Sequence, residues 1–228
     1  REREREQSSK LFAMAPFVES GVESNDIPAT YRGEGTLSPL PLSGFEVRQI
    51  ASVLSVGKGR FSGSSSVFTG RDATSKKLFS ANLREFDFIH FATHAFINEE
   101  TPELSGILLN ESGNTDGTIY VNDIYTLDLN AELVVLSACE TGLGTHIRGE
   151  GIIGFTRAFL YAGATGLLVS LWRVNDQPTA ELMVHFYEQL REGKNFGDAL
   201  REAKLELISR PQFAAPKNWA PFVLQGSV

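Results

Sequence analysis

The chain has 228 residues and a single cysteine, Cys139. One thiol cannot close an internal disulfide, which suits a reducing compartment, and it excludes any metal site built from several cysteines. Histidine is scarce as well, with four residues. No apolar run approaches the roughly 20 residues that a membrane-spanning helix needs. No signal-peptide pattern opens the chain. Positive charge is in deficit: 21 Lys and Arg face 28 Asp and Glu, a formal net charge of −7, with a pI near 5.2. This balance argues against a nucleic-acid or anionic-membrane surface. Hydrophobic residues are plentiful, at 42%, enough for a full core in a chain of this length.

Arg and Glu alternate over residues 1–6, and no Met precedes them. Such a run reads as a solvated helix end or linker. Residues 1–10 are therefore expected to be a linker or the end of an upstream helix in a longer protein, and residues 11–228 a single domain. Apolar runs predict strands over 11–15, 65–69, 86–93, 106–110, 133–138, 166–173 and 220–224. Residues 19–41 are rich in Gly, Ser, Pro and Asn and read as a long surface loop. Ser43 and Glu46 have capping-box spacing ahead of the helical series Val47, Ile50, Ala51 and Leu54. Further helices are expected over 73–83 (capped by Asp72), 121–127 and 151–162, the last apolar nearly all round. Another begins at Asp176-Gln177-Pro178 and carries Met183, Phe186, Tyr187 and Leu190. Asn195 caps one with Phe196, Ala199, Leu200, Ala203 and Leu207 facing inward. Alternating strands and helices predict an α/β sandwich around a mainly parallel sheet.

Functional groups in such sheets gather at the carboxyl ends of strands. Two predicted inner strands end in reactive residues: one at His94, the other at Cys139. If the two strands are neighbours, the imidazole can generate a thiolate nucleophile. Backbone N–H groups at the turns after His94 and at Cys139 are placed to hold an oxyanion. Gly142 and Gly144 would let substrate backbone approach closely. The plainer reading is that a lone Cys at a strand end is a small buried hydrophobe. His90 and His94 share a strand face, which raises a metal site, but no third ligand is evident. His146 and His185 read as a loop and a helix-surface histidine. Gly142, Gly144, Gly149 and Gly151 match no phosphate-binding fingerprint.

The stretches Ile89-His90-Phe91-Ala92-Thr93-His94 and Leu136-Ser137-Ala138-Cys139-Glu140-Thr141-Gly142 resemble the two catalytic motifs of the CHAT family, caspase-like peptidase domains often found behind tetratricopeptide repeats. The resemblance continues through Gly149-Glu150-Gly151, Ala162-Gly163-Ala164 and Val169-Ser170-Leu171-Trp172 to Asn218-Trp219-Ala220-Pro221-Phe222, in order. It implies a caspase-like three-layer α/β/α sandwich and a cysteine endopeptidase with His94 as general base and Cys139 as nucleophile. The backbone of Ala95 and Cys139 would form the oxyanion hole. It also implies a bacterial, cytoplasmic protein, a protein or peptide substrate, no metal or cofactor, and a regulatory repeat domain upstream. No nucleic acid or membrane contact is expected of this domain.

Three points stay open at this level. Ala95 stands where the family commonly has Gly, and a position requiring positive φ would strain it. Ser170, Trp172, Arg173 and Asp176 are candidate substrate-binding residues: Arg173 favours an acidic residue before the cut, Asp176 a basic one, and the balance leans to Asp176. Asp176 also suits an N-cap, and Glu140 and Glu150 are alternative anions. The alternatives to the peptidase are a catalytically silent caspase-like module serving interaction or signalling, and an acyltransferase or esterase using the same dyad.

Overall fold

The structure, a computed structural model, describes residues 9–17, 40–56, 63–96, 98, 101–111, 117–137, 150–172 and 174–227. The apolar run Leu11–Ala15 forms a strand, β1, that is buried throughout because both of its faces are covered. It pairs in parallel with β2 (Ser65–Thr69) on one side and β3 (Phe88–Phe91) on the other. A short β4 (Ala95–Phe96) joins β5 (Gly106–Leu108) and β6 (Thr118–Tyr120) in a small antiparallel sheet. The main sheet continues through β7 (Leu133–Leu136) and β8 (Gly166–Ser170) to β9 (Phe222–Gly226). Its order is β2-β1-β3-β7-β8-β9, with every neighbouring pair parallel except β8–β9. The chain builds leftward from β1 to β2, then crosses to β3 and builds rightward. In doubly wound sheets such a switch of direction opens a crevice at the carboxyl ends of the strands.

Among the described residues six α-helices cover the sheet: α1 (Ser43–Ser55), α2 (Ser75–Ser80), α3 (Val121–Ile124), α4 (Glu150–Tyr161), α5 (Asp176–Arg191) and α6 (Phe196–Ser209). Because strand residues alternate faces, the core divides in two. Leu11, Ala13, Phe88, Val135 and Leu168 meet α1, α5 and α6 through Ile50, Phe186 and Leu207. Phe12, Met14, Phe91, Val134 and Leu167 meet the other helices through Leu78, Ile124 and Phe159. This is the expected three-layer α/β/α sandwich.

Several local expectations fail, the first because a side chain has a tertiary partner. The capping box at Ser43 is not formed: Ser43 Oγ donates to Leu40 O at 2.7 Å, and the Glu46 carboxylate turns inward to His90. The helix predicted over 73–83 shortens to α2 and is capped by Thr74 instead of Asp72, Thr74 Oγ1 accepting from Lys77 N at 3.2 Å. The 121–127 helix is the four-residue α3. Helix α4 is amphipathic after all, with Phe155 and Phe159 buried and Ile153 and Tyr161 exposed.

Candidate functional site

Strand β3 runs between β1 and β7 and delivers His94 just beyond its carboxyl end. The small sheet fixes that position. Leu108 N donates to His94 O at 2.9 Å, and Thr93 Oγ1 donates to Leu108 O at 2.6 Å. His94 is 4% exposed, with the Phe17 ring 5.3 Å from its imidazole, centroid to centroid. Phe17 itself leads out of β1 and packs with Leu40 and Leu108. The backbone of His94 is thus held by β5 and its ring by Phe17.

Ala95 is a paired strand residue opposite Ile107. Extended backbone suits alanine, so the strain foreseen for a non-glycine residue does not arise. His94 and Leu108 form a hydrogen-bonded pair, so by the alternation of antiparallel ladders Ala95 and Ile107 are the non-bonded pair. The Ala95 N–H therefore points away from β5, on the side where β4 has no partner strand among the described residues.

Ser170 ends β8 and is fully buried opposite Phe222, whereas Trp172 is 40% exposed. Asp176 is the first residue of α5, so it is not the N-cap; that position belongs to Asn175. Its carboxylate accepts from Leu42 N at 2.7 Å, tying the start of α1 to the start of α5. Burial is the main reason its pKa rises from 3.8 to about 6; the bond from Leu42 opposes the rise and the charge of Glu46 adds to it. Cys139, Glu140, Gly142, Gly144, His146 and Arg173 lie outside the described residues, as do residues 1–8 and most of the 19–41 loop.

The pairing of His90 with His94 around a metal is not formed. His90 is 0% exposed, with Nε2 2.7 Å from Glu46 Oε1 and Nδ1 3.3 Å from the Tyr187 hydroxyl. Both ring nitrogens are committed to protein groups. Burial and the Glu46 charge push the Tyr187 phenol well above its usual range. His185 lies on α5 between Glu188 and Arg210, a helix-surface residue as expected. The buried Glu46–His90–Tyr187 cluster was missed from sequence. Its signal was present: Glu46 shares the buried helix face of Ile50, and a histidine inside an apolar inner strand needs partners.

A mainly parallel sheet with helices on both faces makes the fold an α/β/α sandwich, and its solved neighbours give the class as caspase-like. The separase of Saccharomyces cerevisiae, solved with securin, superposes with a TM-score of 0.53 at 12% identity, over 96% of this chain and 12% of that one. The Arg-specific cysteine proteinase gingipain R gives 0.57 at 11% identity, over 95% of this chain and 46% of that one. A CHAT domain profile matches residues 3–227, and the chain belongs to that family. Tetratricopeptide repeat protein 28 of Mus musculus is 30% identical over 197 residues, covering 69% of this chain and 8% of that protein. The Homo sapiens protein of the same name is 40% identical over 106 residues, covering 46% and 4%. The chain thus spans less than a tenth of either relative. Both relatives are mammalian, so they lend no support to the expected bacterial source. No helix among the described residues is long and apolar enough to cross a membrane.

Proposed function

We propose that this chain is a cysteine endopeptidase with His94 as general base and Cys139 as nucleophile. The observation that carries the proposal is the register of β3 and β7. Phe91 pairs with Leu136, and Ser137 N donates to Phe91 O at 3.1 Å. Counting three residues on from Phe91 and from Leu136 reaches His94 and Cys139. Strands in a sheet lie about 4.8 Å apart, so equal counts from paired positions favour an imidazole and a thiol at one edge. His94 takes the thiol proton, and the thiolate attacks the scissile carbonyl carbon. The Ala95 and Cys139 N–H groups stabilise the oxyanion, each worth roughly 10²–10³-fold in rate. His94 then protonates the departing amine, and water, deprotonated by His94, hydrolyses the acyl-enzyme.

Asp176 is the group proposed to read a basic residue before the cut, with Ser170, Trp172 and Arg173 contributing to the substrate cleft. Its carboxylate is desolvated and repelled by Glu46, and a guanidinium or ammonium would relieve both penalties. The repeat-protein relatives support a regulatory repeat domain adjacent to this one in the full-length protein.

Labelling with peptides that carry an electrophilic warhead tests the dyad. Wild-type protein should react and Cys139→Ala should not, while His94→Ala should slow labelling by roughly 10²–10⁴-fold. A His94→Ala variant that labels at the wild-type rate overturns the dyad. If no peptide labels the chain even with its repeat domain restored, the silent interaction module is the better reading.

A further inference from the structure

The far edge of the main sheet carries a second surface, independent of the peptidase reading. Among the described residues β9 pairs only with β8. Leu171 N donates to Pro221 O at 3.0 Å and Ser227 N to Thr165 O at 3.1 Å. In the antiparallel register these bonds fix which residues face which way: Val223 and Gln225 bond inward to β8, while Phe222, Leu224 and Gly226 turn their backbone groups outward. Beyond the Phe222 carbonyl, which Lys204 holds, such a row is a template for another strand.

Helix α6 runs beside that edge and leaves a groove of about 360 Å³ against it. Leu205, Ile208, Trp219 and Leu224 give the groove an apolar lining. Leu205 is 42% and Ile208 38% exposed. The charged residues lining it are both cationic, Arg201 and Lys204, on a chain of net charge −7. Arg201 pairs with Glu202. Lys204 is different: its ammonium donates to the outward carbonyl of Phe222 at 2.6 Å, and among the described residues no carboxylate pairs with it. Burial pushes its pKa down, the mark of a cation short of compensation.

We infer that the β9–α6 groove binds an extended partner segment that adds a strand to β9 and places an acidic side chain against Lys204. Backbone bonds to Leu224 supply the strand register, and apolar side chains at alternate positions fill the space before Ile208 and Trp219. A groove between a sheet edge and a helix is the geometry that strand-addition peptides use. The anion follows from the partly buried Lys204 ammonium, which no carboxylate among the described residues pairs.

Fluorescence polarisation with labelled hexapeptides of alternating apolar and polar residues tests this, with Glu or Lys at the central groove-facing position. The Glu peptide should bind at least about tenfold more tightly than the Lys peptide, and added salt should narrow the gap. Lys204→Met, which keeps the apolar stem, should bring the two peptides to parity. Leu224→Pro removes an outward N–H without touching the bonds to β8 and should weaken both peptides by about tenfold or more, with folding verified by circular dichroism. Equal affinity for the two peptides in the wild type, unchanged binding in Lys204→Met, or no binding at millimolar peptide overturns the inference. So does a concentration-dependent dimer in sedimentation that Leu224→Pro abolishes, since the occupant is then a second copy.

Discussion

Asp176 shows how one carboxylate carries opposite consequences for stability and for the proposed activity. It ionises near pH 6 in the fold against an ordinary value of 3.8. Between those values the unfolded chain holds fewer protons than the native one, so this group makes stability fall as pH rises. The penalty is absent below 3.8 and complete above about 6. Asp176→Asn keeps an oxygen for the Leu42 N–H but removes the charge. It should therefore stabilise the protein by about 1 kcal/mol at pH 7, a figure reduced for solvent screening at a half-buried site. Urea unfolding at pH 4 and pH 7 measures this; an equal effect at both values contradicts it. The same variant should lower labelling by an Arg warhead relative to a Leu warhead. Glu46, His90 and Tyr187 pose the opposite case. Glu46→Ala strands His90 in an apolar interior and should cost about 3 kcal/mol. The triple change Glu46→Met, His90→Leu and Tyr187→Phe removes every polar group at once and should cost less than the single one, which urea titration of both proteins decides.

At the level of elements, helix ends separate local rules from tertiary ones. Helix α4 closes with Gly163 N donating to Leu160 O and Ala164 N to Phe159 O, at 3.2 and 3.0 Å. Helix α5 closes the same way, through Gly193 to Leu190 and Lys194 to Gln189. Both glycines have positive φ, 110° and 89°, as this cap requires. Their surroundings differ. A Cβ on Gly193 meets nothing within 4 Å, whereas one on Gly163 would sit 2.3 Å from the carbonyl oxygen of Leu129. Gly193→Ala should cost only the backbone penalty, about 1 kcal/mol. Gly163→Ala must also displace backbone and should cost about 3 kcal/mol or more, and thermal denaturation ranks the two. The Ala162-Gly163-Ala164 stretch was legible as a motif, but its cause lay in a loop more than thirty residues earlier in the chain. Asn195 was legible outright, because its cap is local: Asn195 Oδ1 accepts from Asp198 N at 2.8 Å. Asp72 misled for the same reason in reverse, since a short 3₁₀ turn over Gly70–Asp72 intervenes and hands the cap to Thr74.

For the whole molecule, the apolar runs at Leu11–Ala15, Leu133–Leu136 and Gly166–Ser170 announced a parallel sheet covered on both faces, and their alternation with amphipathic helices announced the layers. Strand order was not legible, because register between distant segments is set by packing that no local pattern encodes. The antiparallel sense of β9 and the separate β4-β5-β6 sheet stayed hidden for that reason. So did the second consequence of the order, which is that both apolar clusters rest on the same central strands. Phe88 and Leu133 serve one face, Ile89 and Val134 the other. Losing the helices on one side exposes the back of strands that hold the other side, and a strand cannot leave its neighbours for one layer alone. The two clusters should therefore unfold together. Far-ultraviolet circular dichroism reports all the helices, while Trp219 fluorescence, read in a Trp172→Phe background because Trp172 also emits, reports the face covered by α6, against which that ring packs. Their urea transitions should coincide in midpoint and slope, as two-state unfolding requires. Transitions displaced by more than the fitting error would show the two faces to be separate cooperative units, and the sheet too weak to couple them.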